Sequence, residues 1–238
     1  MRLLRQTIRR LIKESVYSTD FSKIDWMIGK LGLLDHNVEI VIDHNHEAGN
    51  DLVIEIMSVK LQDGRKRRKS MAILKIDESW GNCLNAYEVS WSHVRYKWKK
   101  LGIGPLMYEV AIEYITQEYG VGLICDRKSL SDKAFPVWKK FFERSKTDPE
   151  ITTELLDFSH GPKDKKFTPN NELDDCDETT SADWFMALKT NDWWSDEGPT
   201  DEFRKWWAEE DPTSRVYKKS PARTIETLKG LGMLRINK

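Results

Sequence analysis

Cysteine is scarce. Cys83, Cys125 and Cys176 are the only three in 238 residues, and they lie far apart. That number and spacing exclude a disulfide framework and a CxxC metal site, and they suit a reducing compartment. Long apolar runs are also lacking: none approaches the roughly 20 residues a membrane span requires. No apolar signal-peptide region follows the basic start, so the expected location is cytoplasmic, with no membrane association. An excess of one charge is missing as well. The net charge is −1, so the chain as a whole does not read as an electrostatic nucleic-acid binder. There is no internal repeat. What remains is 39% hydrophobic and 32% charged residues, the profile of a globular protein with a wet surface.

The chain divides into three stretches. Residues 1–36 read as N-terminal helices, 37–158 as the core, and 159–238 as a Trp-rich extension packed on that core. Leu3, Leu4, Ile8, Leu11, Ile12 and Val16 recur at helical spacing, opposite Arg2, Arg5, Arg9, Arg10 and Lys13. This is either a surface helix of the same domain, a basic docking peptide for an assembly partner, or, more weakly, a membrane-surface helix. A second helix is expected from Asp20 or Ser22 to about Leu34.

Four strand-like runs follow: Val38 to Asp43, Leu52 to Lys60, Met71 to Asp77 and Leu84 to Val94. Their short connections predict an antiparallel meander. Asp63-Gly64 is a hairpin signal. Arg65 to Lys69 then reads as a solvated basic loop, or as a site for an acidic acceptor or a ligand phosphate. His44 and His46 form an H-x-H pair without further ligands nearby, which points to exposed turn histidines rather than a metal site.

Next comes Lys99-Lys100-Leu101-Gly102-Ile103-Gly104, between the fourth strand and a helix expected from Pro105 to Tyr119. Two glycines at such a junction let the backbone turn tightly. The head of a helix offers unpaired N–H groups and a positive dipole end, which suit a phosphate. A G-x-G before a helix is equally a common structural turn. Gly122 to Asp126 is a short buried strand, Ser131 to Arg144 another helix, and Ile151 to Phe158 a further strand. Strand, helix, strand here requires the fourth and fifth strands to be parallel, joined by a crossover.

Beyond residue 158, a polar stretch with acids at Glu172 to Glu178 precedes Trp184, Trp193, Trp194, Trp206 and Trp207. These indoles are too dense for a disordered tail, and their acidic setting argues against nucleic acid. A strand near 214–218, a helix from Pro221 to Gly230 and a tail from Leu231 close the chain.

The order meander, glycine turn, helix, strand, helix, strand resembles the GNAT superfamily of acyl-CoA N-acyltransferases. The stretch from Tyr87 to Arg144, with the basic N-terminal helix, is also similar to GNAT-like proteins of tailed bacteriophages. The expected fold class is therefore α+β: a GNAT-like mixed sheet with a meander, a parallel β-α-β crossover at a splayed strand pair, N-terminal helices and the Trp-rich extension. Lys99 stands at the family's Gln/Arg position, followed by Gly102 and Gly104. The resemblance implies acetyl-CoA as cofactor, held by Lys99, Lys100, Leu101, Gly102, Ile103, Gly104 and Leu106, with one donor missing at Pro105. It implies transfer to an amine acceptor, expected on a protein or peptide.

Glu88, eleven residues before Lys99, falls where histone-acetyltransferase-type members carry the general base. It reads equally as a solvent-facing strand glutamate. Simple alternation groups it with Ser90 and Ser92, opposite Val89, Trp91 and His93. His93 is the second candidate base, or a packed strand residue. Trp138 occupies the position of the family's tyrosine acid, and an indole is no proton donor; Ser131, Ser129 or water would have to serve. The competing expectation is a catalytically degenerate structural or interaction protein, phage virion-associated or host-targeting, docked by its N-terminal helix. It would sit in a host cytoplasm or a virion.

Overall fold

The computed structural model describes residues 37–44, 52–78, 86–126, 130–158, 175–176, 194–195 and 198–237. The two N-terminal helices, the turn after His44, Ser129, Trp184 and Trp193 fall outside them.

The fold is α+β, built on a mixed eight-stranded sheet. β1 (Asn37–Asp43), β2 (Leu52–Gln62), β3 (Arg65–Glu78) and β4 (Ala86–Val94) form the antiparallel meander. α1 (Ile103–Tyr119) crosses to β5 (Gly122–Ile124), which runs parallel to β4. α2 (Phe135–Ser145) and β6 (Ile151–Leu155) follow. Two-residue strands β7 (Asp157–Phe158) and β8 (Asp175–Cys176) pair with each other, as do β9 (Trp194–Ser195) and β10 (Gly198–Pro199). α3 (Asp201–Glu209) leads to β11 (Arg215–Lys219), α4 (Arg223–Gly230) and β12 (Leu234–Asn237). The sheet order is β12-β1-β2-β3-β4-β5-β11-β6. No helix among the described residues is long and apolar enough to cross a membrane.

Three elements differ from the sequence expectation. The basic run Arg65 to Lys69 is the start of β3, not a loop. Asp63 (φ 53°) and Gly64 (φ 70°) make a tight two-residue turn with both central residues left-handed, so ladder pairing resumes at once with Gln62 opposite Arg65. The tail after Gly232 is strand β12, laid parallel on β1. Four residues carry no strand signal alone; the open edge of β1 supplies it. α1 begins at Ile103, so Gly104 and Pro105 lie inside its first turn.

The main core joins one face of the sheet to α1, α2 and α4. Ile40, Ile54, Leu74, Val110, Ile115, Trp138, Tyr217 and Leu228 all belong to it. Tyr217 in this cluster makes β11 an inner strand of the sheet rather than a cover.

Within the layer under α1 lies a buried ionic cluster. Lys219 Nζ reaches Glu109 and, at 2.6 Å, Glu113. Glu113 also accepts the N–H groups of Thr224 (3.1 Å) and Ile225 (2.8 Å), capping α4. Arg144 of α2 forks onto both oxygens of Glu109 at 2.9 and 3.1 Å. Burial pushes Glu113 above the usual carboxylate range, against the pull of Lys219. Burial alone would lower Lys219, but Glu109 and Glu113 outweigh it and raise it. The two directions are compatible because one ammonium serves two carboxylates. Every partner is internal, so the cluster ties β11, α2 and α4 to α1 and is structural.

Candidate functional site

The glycine stretch turns the chain from β4 into α1. A short 3-10 turn, Tyr96–Trp98, follows Arg95, and buried Trp98 anchors it. Lys100 (φ 65°) and Gly102 (φ 78°) are both left-handed, which curls the backbone into a concave nest. Leu101, Gly102, Ile103 and Gly104 make no backbone N–H bond among the described residues, whereas Leu106 donates its N–H to Gly102 O at 3.1 Å. Lys99 N–H is likewise engaged, by Tyr96 O. The available cradle is therefore four consecutive N–H groups, ending before Pro105, at the positive end of a 17-residue helix. Leu106 contributes burial at the helix head, not a donor.

The cradle lies at the open end of a fork. β4 pairs with β5 only through Ala86, Glu88 and the residue between them, and its remaining six residues, from Val89 to Val94, have no partner there. Ser90 is an extra residue: Val89 sits opposite Ile76 and Trp91 opposite Lys75, with nothing facing Ser90. A bulge of this kind bends the strand and leaves backbone groups out of the ladder. It also overturns the alternation expected from sequence. Glu88 shares a face with Trp91 and His93, while Ser92 lies with Val89 on the α1 side.

Tyr108 enters the fork from α1. Its hydroxyl donates to Ser92 Oγ at 3.1 Å. Burial pushes its pKa above the ordinary tyrosine value, the Ser92 contact pulls the other way, and Cys125 and Asp126, just past β5, raise it further. The hydroxyl is thus held against β4 and stays protonated at neutral pH. Sequence reasoning missed this residue. Its only signal was a tyrosine one helical turn beyond Gly104, on a stripe that reads as core. Trp138 is fully buried, edge-on to Tyr108 at 5.3 Å and against Tyr217 at 5.2 Å. It wedges Tyr108 in place and does not reach the cleft.

The other sequence candidates scatter. Glu88 is half-buried opposite Asp77, and His93 is exposed and stacked on Trp91 at 5.7 Å. Four ladder steps separate Glu88 from His93, roughly 13 Å, so they do not act as a pair. Ser131 Oγ accepts the Ala134 N–H at 3.2 Å, as a turn cap. His44 is not an exposed turn histidine. It is half-buried, with Nε2 2.5 Å from the Tyr114 hydroxyl and Nδ1 3.1 Å from that of Tyr119. No cluster of three or more metal-ligating side chains exists among the described residues.

On the sheet face away from α1, a groove of about 450 Å³ is lined by Ser70, Ile73, Trp91, His93, Tyr96 and Lys99, among others. It lies beside the cradle, sharing Lys99 with the turn. No family model, curated protein or solved structure matches this chain.

Proposed function

We propose that the chain is a GNAT-like N-acyltransferase, moving an acetyl group from acetyl-CoA to an amine, most simply of a protein or peptide. One observation carries the reading: a four-donor cradle at a helix head opens onto a fork between two parallel strands. The pyrophosphate of coenzyme A suits Leu101 to Gly104, with Lys99 and Lys100 adding charge. Its pantetheine arm suits the fork, where the second half of β4 offers backbone unclaimed by β5. The N–H groups freed by the bulge suit the oxyanion that forms on the thioester carbonyl.

In this reading the amine approaches from the groove face and loses its proton to Glu88, directly or through water. Its nitrogen attacks the thioester carbon, the C–S bond breaks, and the leaving thiolate takes the Tyr108 proton. The second proton shed by the new amide nitrogen returns to the phenolate through water, and Glu88 releases its own to solvent. Glu88→Gln should slow transfer by about 10²- to 10⁴-fold and leave acetyl-CoA binding intact. An unchanged rate removes Glu88 as the base.

The second reading is a binding protein on the same scaffold, such as a phage virion-associated or host-targeting protein, with the basic amphipathic stretch of residues 1–16 as its docking segment. Burial of Trp138, where the resemblance calls for a tyrosine acid, favours it. Deleting residues 1–15 and measuring co-purification tests that role: loss of a partner by a folded protein supports it, and retained association removes it.

A further inference from the structure

The net charge of −1 conceals a sharp segregation. Six of the ten residues from Lys60 to Lys69 are Lys or Arg, with Asp63 as the lone acid, and four of the six from Arg95 to Lys100 are basic. The structure brings both runs together at one end of the sheet. The β2–β3 hairpin overhangs its neighbours: β1 reaches no further than Val59, and β4 no further than Ala72. What protrudes is a two-stranded ribbon with every residue from Lys60 to Lys69 exposed. Register puts Lys66 and Arg68 on the side that continues the groove face of Ser70 and Ile73, and Lys60, Arg65, Arg67 and Lys69 on the side that continues the α1 face. Among the described residues Arg68 alone of these is ion-paired, to Glu39 at 2.6 Å.

At the base of the ribbon, the Arg95 N–H bonds Met71 O at 3.0 Å, which fastens the second basic run against it. Between them lies the groove of Trp91, His93, Arg95, Tyr96 and Lys99. Trp91 is 47% exposed and Tyr96 88%. Exposed aromatic faces beside cations, Trp91 stacked on His93 and Tyr96 under the Lys99 ammonium, are the surface on which unpaired bases stack while the phosphates follow the charge. An acidic peptide would use the cations but gain little from stacked rings.

We infer that this end of the sheet, the Lys60–Lys69 ribbon together with the Trp91–Tyr96 groove, binds single-stranded nucleic acid. The inference does not rest on acyl transfer, since it needs no coenzyme A, although its groove shares Lys99 with the cradle and lies on the face from which the amine would approach. Its test uses the full chain and fluorescein-labelled 20-mers of thymidylate and uridylate, followed by anisotropy between 50 and 200 mM salt. The expected result is saturable binding that weakens by about 50-fold over that range, the change for roughly four neutralised phosphates. Trp91→Ala and Tyr96→Ala, both at exposed positions, should each weaken binding by about 5- to 150-fold with the salt dependence unchanged. Lys66→Gln with Arg95→Gln, on the groove side of the ribbon and on the groove rim, should weaken binding and flatten the salt dependence. Tighter binding of the uridylate strand would assign RNA, and of the thymidylate strand DNA. The inference is overturned if neither strand binds at 50 mM salt, or if a duplex or a poly-glutamate peptide binds as tightly. It is equally overturned if Trp91→Ala and Tyr96→Ala leave binding unchanged while their thermal melting matches wild type.

Discussion

Replacing Lys219 by methionine keeps the length and most of the apolar contact of the side chain but removes its ammonium. Glu113 is fully buried and would lose its cation, keeping only the Thr224 and Ile225 N–H groups. Glu109 would keep Arg144. Removing one member of a buried pair costs about 3–5 kcal/mol, because the other charge stays behind unpaired. The Arg144 fork and the α4 cap place the loss near the lower end, about 3 kcal/mol, still a large part of a typical domain's stability. The pH dependence adds a sharper check. Glu113 already has a raised carboxyl pKa in the folded state, so its contribution is full below the unfolded value and falls as pH rises through the folded one. Lys219→Met raises that pKa further. The deficit should therefore be largest at pH 7 and above and shrink on acidification toward pH 4.5, where a protonated Glu113 needs no cation. Urea unfolding of both proteins at several pH values measures this. A loss under 1 kcal/mol at pH 7, or one independent of pH, would refute the claim that the cluster ties the layers together.

Three further outcomes follow from the geometry. Gly122→Ala would place a Cβ 2.1 Å from Val216 Cγ1 and 2.9 Å from Tyr217 O, so β5 and β11 must part; urea unfolding should show a loss of about 3 kcal/mol. Asp211→Ala strips the acceptor from the Thr213 N–H, the Thr213 hydroxyl and the Ser214 N–H, all buried. With about 1–3 kcal/mol for each buried group left unsatisfied, the loss should reach at least 2 kcal/mol in the same assay. Tyr108→Phe keeps the ring against Trp138 and removes the hydroxyl; acetyl-CoA should still bind, while transfer measured by thiol release slows about 100-fold.

Much of the scaffold was legible because its signals are local. Asp63-Gly64 dictates a hairpin, and the run into Gly102 dictates a strand, a tight turn and a helix head. What stayed hidden is non-local. Ser90 carries no mark of a bulge; the extra residue shows only when Val89 and Trp91 are matched to Ile76 and Lys75 across the ladder. That one residue decides which face Glu88 shares. β12 is a strand only because β1 has an open edge. Glu109 and Glu113, spaced by one turn of α1, show nothing in the sequence of the cluster they form with Lys219 and Arg144, which arrive from distant sequence. His44 likewise acquired a role only when Tyr114 and Tyr119 were brought beside it. Charge was hidden in a different way: the run Arg65 to Lys69 is plain in the sequence, but only the fold brings Arg95 to Lys100 to the same end of the sheet.

The central claim is that the turn from Lys99 to Gly104 is a coenzyme A pyrophosphate cradle. Titrating acetyl-CoA while following tryptophan fluorescence tests it most directly, with Gly102→Val as the control. Gly102 has φ 78° and open space around its Cβ position, so a valine there strains the turn without a packing clash. The account predicts saturable binding by the wild type and its loss in a Gly102→Val protein that still melts cooperatively. No saturation at millimolar acetyl-CoA, or equal binding by both proteins, would contradict it.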